Sequence, residues 1–298
     1  MTTRGAIRVA AAIAVVLLLA ACRPAVVVVG DPMLRASFPE PVELETRLRE
    51  AVDGFGFTGS VYWPQPDEDA PLALPLELEG RGAEIVLLSP LYSLSVLEDP
   101  TAISGISPEA TLVGVGSLPP ADPWNGVWVV YDASPAYERA GRLAARWQND
   151  DPDRLTVLLV NEGAARSEAQ AFEAGFREQS DELGAGETRL SVERFRSAPT
   201  GQALSDAVSR YPQGPDTLWV LLLGRADQSA LTLLRAQDVR FGLRGVDPAL
   251  DPQRVYFSVV DDLVVAAEAL VAEPSTREGV VVVEASLVVP EPEADATR

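Results

Sequence analysis

Short apolar runs alternate with amphipathic stretches along most of the chain. Residues 26–29 are four consecutive valines closed by Gly30-Asp31-Pro32, the pattern of a parallel strand buried on both faces. Leu44, Leu48 and Val52 recur at spacing four and predict a helix over 42–52. Residues 57–63, 84–88, 111–115 and 127–131 read as further strands, with turn formers such as Ser89-Pro90 and Gly116-Ser117 ending two of them. Residues 64–80, rich in proline and acid, read as a loop. A long helix is predicted over 135–147, where Ala140, Gly141, Ala144 and Ala145 permit close packing on a sheet.

The alternation then repeats. Strands are expected at 154–160, 190–195, 217–223, 240–246 and 255–260, with helices at 168–178, 202–210, 228–237 and 262–271. A β-rich segment at 279–289 precedes a Pro/Glu/Asp tail, 291–298, expected to be untied. Strands separated by helices of this length imply parallel sheets covered by helices on both faces. Two such runs, split near Tyr131-Asp132, give an α/β chain of two doubly wound lobes.

The N-terminus departs from this alternation. Arg4 and Arg8 precede an uncharged apolar run from Val9 to Leu19, which closes on Leu19-Ala20-Ala21-Cys22. A basic region, a short apolar core and small residues before a cut make a secretory signal, here residues 1–21. The run is too short to span a bilayer comfortably, since about 20 apolar residues are needed. Leu-Ala-Ala-Cys resembles the lipobox of bacterial lipoproteins. That resemblance implies a diacylglycerol on Cys22 and an acyl chain such as palmitate on the new amine. The protein would then be anchored in the cell envelope, facing the periplasm or the exterior. Cys22 is the only cysteine, so no disulfide can form within the chain.

Composition narrows the chemistry. The formal net charge of −20 opposes nucleic acid and anionic lipid as electrostatic partners. There is no histidine, and all 24 basic residues are arginine. Ser-His-Asp, Cys-His and Ser-Lys mechanisms, Schiff-base lysines and His/Cys metal sites are therefore excluded. Only carboxylate pairs remain for catalysis, and in so acidic a chain most of these are solvated surface. No enzyme activity, cofactor or metal is expected.

Four segments carry a further resemblance: Asp132 with Ala140-Gly141 and Ala144-Ala145; Leu158-Leu159-Val160 running to Ala174-Gly175-Phe176; the stretch from Asp227 to Ala236; and residues 255–260 with Ala266-Ala267. In order and spacing they are similar to type I periplasmic binding proteins, the ribose-binding and LacI-like family. The resemblance implies two lobes joined by a hinge: an N-lobe of 25–131 plus 256–284 and a C-lobe of 132–255 plus 285–290. Ligand would lie between them at the carboxyl ends of strands, as is general for open α/β sheets.

Strand ends supply the candidate ligand-binding residues: Asp31, Ser89, Ser117, Asp132, Asn161, Arg225, Asp227 and Asp261. Each is also a residue type favoured in caps, turns or surface pairs. Phe172 falls where the family carries an arginine that grips sugars. It implies a small ligand with an apolar or planar part and a hydrogen-bond donor, rather than a free monosaccharide. Trp63, Trp124 and Trp128 offer stacking faces, although such rings more often pack in cores. The leading expectation is a lipid-anchored solute-binding protein that captures a small molecule for an ABC-type importer. The alternative is a degenerate binding fold with a structural or assembly role. A carboxylate-dependent hydrolase is the third reading.

Overall fold

A computed structural model describes residues 24–30, 41–64, 83–98, 109–116, 119–120, 124–151, 153–184, 189–224, 227–234, 239–245, 254–273, 276 and 278–290. The chain forms two compact units. One comprises the residues up to Tyr131 together with Leu263–Val283, and the other Asp132–Asp262 together with the chain from Glu284. Cys22, Asp31, Ser117, Arg225 and the tail lie outside the described residues, as does most of the expected 64–80 loop.

The first unit is built on β1 (Ala25–Val29), β2 (Thr58–Tyr62), β3 (Ala83–Leu88), β4 (Thr111–Gly116) and β5 (Val127–Asp132), joined later by β11 (Gly279–Glu284). Its sheet runs β11-β5-β4-β3-β1-β2. The pairs β1–β2, β1–β3, β3–β4 and β4–β5 are parallel. Val26, Val27, Val28 and Val29 are fully buried, as a central strand covered on both faces requires. Helix α1 (Pro41–Asp53) turns Leu44, Leu48 and Val52 inward.

Where the sequence predicts only a turn, at Ser89-Pro90, helix α2 (Pro90–Glu98) begins. Proline lacks an N–H, and the first helical position needs none, so the same dipeptide can open a helix. Ser93 on α2 accepts a 2.9 Å hydrogen bond from the Val115 N–H of β4, which ties the helix to the sheet. The tryptophans of this unit are packing groups. Trp124 and Trp128 meet edge to face at 4.9 Å beside Gly114, where a Cβ would collide with both rings, and Trp63 lies in the same way over Gly30.

The second unit repeats the plan. Strands β6 (Leu155–Asn161), β7 (Leu190–Phe195), β8 (Thr217–Leu222), β9 (Arg240–Arg244), β10 (Val255–Val260) and β12 (Ser286–Val288) form a sheet in the order β12-β10-β9-β8-β6-β7. All of its pairings are parallel except β10–β12. Its helices are α3 (Ser134–Asn149), α4 (Arg166–Glu182), α5 (Gly201–Val208) and α6 (Asp227–Leu234), while α7 (Leu263–Ala272) belongs to the first unit. Strand order reverses between β6 and β8, and the carboxyl ends beside such a switch point are where open sheets hold ligands.

The structure corrects two boundaries. The family resemblance assigns residues 256–260 to the first lobe, but β10 pairs with β9 on one side and β12 on the other in the second sheet. The chain crosses back only at α7. The mostly apolar residues 255–260 do not reveal which sheet they join, because a strand buried on both faces reads the same in either one. The β-rich segment 279–289 is likewise two strands, one at an edge of each sheet.

Phe172, a candidate ligand contact by its motif position, is instead fully buried in the core of the second unit. Its ring lies 6.3 Å from those of Phe176 and Phe257. The reason is the contact between α3 and α4. Gly141 faces the backbone of Phe172 and Phe176, and Gly175 faces that of Glu138, with no room for a Cβ at either place. The Ala-Gly and Gly-Phe motifs are thus a close helix–helix contact, and Phe172 fills the core beneath it.

Candidate functional site

The carboxyl ends of the second sheet gather charge that an apolar core would ordinarily exclude. Arg244 ends β9, and its Nη2 donates to both oxygens of Asp261, just beyond β10, at 3.1 and 3.3 Å. Its Nη1 lies 3.6 Å from Glu168 in the first turn of α4. The side chains of Arg244, Asp261 and Glu168 are only 24%, 29% and 16% exposed, so this is a partly desolvated network rather than a surface pair. Burial works against the guanidinium's charge, but the carboxylates of Asp261 and Glu168 outweigh it and hold Arg244 above its ordinary value. Burial raises the Asp261 carboxyl, with Arg244 opposing.

Two further groups complete the cluster. Asp227 opens α6 and accepts the Leu223 N–H at 2.8 Å, closing the turn out of β8. Tyr137, in the first turns of α3, is 0% exposed, and its hydroxyl has no hydrogen-bond partner among the described residues. The charges of Arg244, Asp227, Glu168 and Asp261 all act on that hydroxyl. Burial, the largest cause, pushes its pKa far up, which keeps it a neutral phenol.

Burial pushes the Asp227 carboxyl up to about 6, against the N–H groups of Leu223 and Gly224 and the charge of Arg244. The folded protein therefore holds this proton more tightly than the unfolded chain. That contribution to stability is complete below about pH 4 and is lost as pH rises through about 6. At pH 7 the ionised carboxylate is a net cost. Asp227→Asn keeps an acceptor for Leu223 and should stabilise the protein by on the order of 2 kcal/mol at pH 7, with little change at pH 4. Urea denaturation at the two pH values measures this. An equal effect at both would show that the charge is not responsible.

Of the strand-end candidates, Asp227 and Asp261 stand after the carboxyl ends of β8 and β10 in the second sheet. Asn161 is 8% exposed at the end of β6, where its Oδ1 accepts the Gly163 N–H at 3.2 Å, a turn role. Asp132 is exposed and accepts the Ser134 N–H at 2.9 Å at the start of α3. Ser89 is fully buried at the end of β3 in the first unit, and its hydroxyl lacks a partner among the described residues. Arg244, Glu168 and Tyr137 are not marked out by strand-end reasoning. Only Arg244 leaves a signal, as a charge ending the otherwise apolar Phe-Gly-Leu run of β9. Among the described residues, no group of three His, Cys, Asp or Glu side chains is placed to hold a metal.

No protein-family model matches the chain, and no curated protein matches it in sequence. Solved structures do match. A transcriptional activator of the comK gene from Bacillus halodurans is similar over 91% of this chain and 92% of its own, with 12% identity and a TM-score of 0.52. A XylFII–LytSN complex is similar over 90% and 98%, at 12% and 0.51. An ABC transporter solute-binding protein from Aeropyrum pernix K1 aligns over 89% and 76%, at 12% and 0.48. The chain has the type I periplasmic binding protein fold: two α/β lobes, each on a doubly wound parallel sheet.

Proposed function

We propose that this chain is a lipid-anchored solute-binding protein of the cell envelope, which recognises a small molecule through the second unit and delivers it to an ABC-type permease. The observation that carries the reading is the Arg244–Asp261–Glu168 network with Asp227 and Tyr137. It sits at carboxyl strand ends, where the fold class places ligands. Buried charge of this kind costs stability, and nothing in the packing of α3, α4 and the sheet calls for it. No covalent chemistry is assigned, since the sequence offers no activated nucleophile.

Purified mature protein should show a rise in melting temperature with at least one compound in a panel of sugars, nucleosides, amino acids, aromatic acids and small amines, by mass action on the folded state. Asp227→Asn should abolish that rise while remaining folded. A complete panel with no shift sinks the binding reading in favour of a structural role.

The anchor is tested separately. Cys22→Ala should leave an unprocessed, unacylated precursor that washes off membranes. Mass spectrometry of the native protein should find the chain beginning at an acylated Cys22. A free Cys22 thiol on an intact N-terminus would remove the lipoprotein reading.

A further inference from the structure

The first unit begins almost where its proposed anchor ends. Pro24, at the head of β1, follows Cys22 by two residues, and two residues of chain reach at most about 7 Å. The Pro24 carbonyl accepts the Thr58 N–H at 2.9 Å. Ala25 pairs with Thr58, so β1 and β2 start side by side and run in the same direction. Acyl chains on Cys22 would therefore enter a membrane beside the amino ends of these two strands. The carboxyl end of β1 lies about 13 Å further on.

The turn that feeds β2 stands at the same end. Residues 54–56 are Gly-Phe-Gly. The Phe55 N–H donates to the Val52 carbonyl at 3.1 Å and the Gly56 N–H to that of Asp53 at 3.0 Å. Gly56 has a φ of +85°, which favours glycine. Phe57 belongs to the core, but Phe55 is 45% exposed. A Cβ at Gly54 or Gly56 would meet nothing within 4 Å, so the backbone on either side of the ring is open. One exposed ring is ordinary on a protein surface. What gives this one a partner is its place, in the turn that leads directly to the residue bonded to Pro24.

We infer that the Gly54-Phe55-Gly56 turn is an apolar contact with the bilayer surface that receives the Cys22 acyl chains. Phe55 lies at the boundary of headgroups and acyl chains and fixes the first unit with the amino ends of β1 and β2 toward the membrane. The inference rests on the lipoprotein reading and goes beyond it, by naming the part of the folded unit that meets lipid. Exposed aromatic and aliphatic side chains enter this boundary readily. Charge does not supply the contact, because a net charge of −20 and Asp53 at the end of α1 oppose anionic headgroups. The partner is a zwitterionic lipid surface.

Spin labelling of the acylated mature protein, reconstituted in phosphatidylcholine vesicles, tests this. Acylation consumes the only native thiol, so Gly54→Cys and Val42→Cys each offer one site for a nitroxide. Val42 is 71% exposed and lies at the other end of α1, about 16 Å away along the helix. Each label is read against the same label in a chain expressed from Arg23, which carries no anchor. On vesicles, residue 54 should become severalfold less accessible to a water-soluble nickel complex, and residue 42 should not change. Adding Phe55→Ser to Gly54→Cys should leave the protein on the vesicles, since the acyl chains hold it, and should restore access at residue 54. No loss of access at residue 54, in protein whose Cys22 is acylated by mass spectrometry, would overturn the contact and leave the lipoprotein reading standing. Shielding that persists in Phe55→Ser would overturn it too, as would stronger shielding on phosphatidylglycerol vesicles, which would make the contact electrostatic. A free Cys22 thiol on an intact N-terminus removes both readings.

Discussion

Replacing Arg244 by methionine should cost about 3 kcal/mol of stability at pH 7, among the largest effects of any single side chain in the second unit. Methionine fills much of the same volume, so the loss is electrostatic. Asp261 and Glu168 would remain largely desolvated with no counter-charge, and breaking a buried pair by removing one partner costs about 3–5 kcal/mol. Side-chain exposures of 16–29% across the network place the expectation at the low end. The pH dependence identifies the cause. Without Arg244 the Asp261 carboxyl, already raised by burial, is pushed further up, so its share of the penalty is present above that raised value and fades as pH falls toward 4. Urea denaturation from pH 4 to 8 reads both the size and the slope. Adding Asp261→Asn and Glu168→Gln to Arg244→Met should recover most of the loss, because uncharged amides are far less costly to bury. A loss below about 1 kcal/mol at pH 7 would mean that water screens the network as it screens surface pairs.

The second large effect is steric. Gly175→Ala should destabilise by about 2–3 kcal/mol, although alanine is the better helix former by about 1 kcal/mol. A Cβ at Gly175 would fall 2.8 Å from the Glu138 carbonyl carbon, and one at Gly141 would fall 2.8 Å from the Phe176 nitrogen. Both obstacles are main chain, so no side-chain rotation relieves them, and α3 and α4 must move apart. Because the two glycines serve one contact, Gly141→Ala with Gly175→Ala should cost less than the sum of the singles: once the helices have parted, the second methyl meets less resistance. Thermal or urea denaturation of the three variants measures this. A stabilised Gly175→Ala would show that the helices are not held at this distance.

These effects, with the pH response of Asp227, fall within one unit, and their physical origins differ. Burying the charges of the cluster costs stability. The glycine contact stabilises, and it accounts for two of the four motifs behind the resemblance, Ala140-Gly141 and Gly175-Phe176. Phe172 shows the hazard of carrying a family position over by motif alone. It occupies a motif position associated with ligand, yet its side chain fills the core between Phe176 and Phe257.

The sequence by itself determined the alternation of strands and helices, the doubly wound parallel character of both sheets and the transition near Tyr131-Asp132. Each of these depends on local periodicity: four buried valines in β1, spacing four in α1, small residues on α3. It also excluded histidine, lysine and paired-cysteine chemistry outright, because a residue type that is absent cannot be supplied by folding. Two of the cluster's members, Asp227 and Asp261, were legible because each follows the end of an apolar strand. Only the tertiary structure joined them to Arg244, Glu168 and Tyr137. These five residues span 137–261 in sequence and come from α3, α4, α6 and the ends of β9 and β10, so their meeting is a consequence of strand order, which periodicity does not encode. The same is true of β10. Its apolar run is compatible with either sheet, and pairing with β9 and β12 places it in the second.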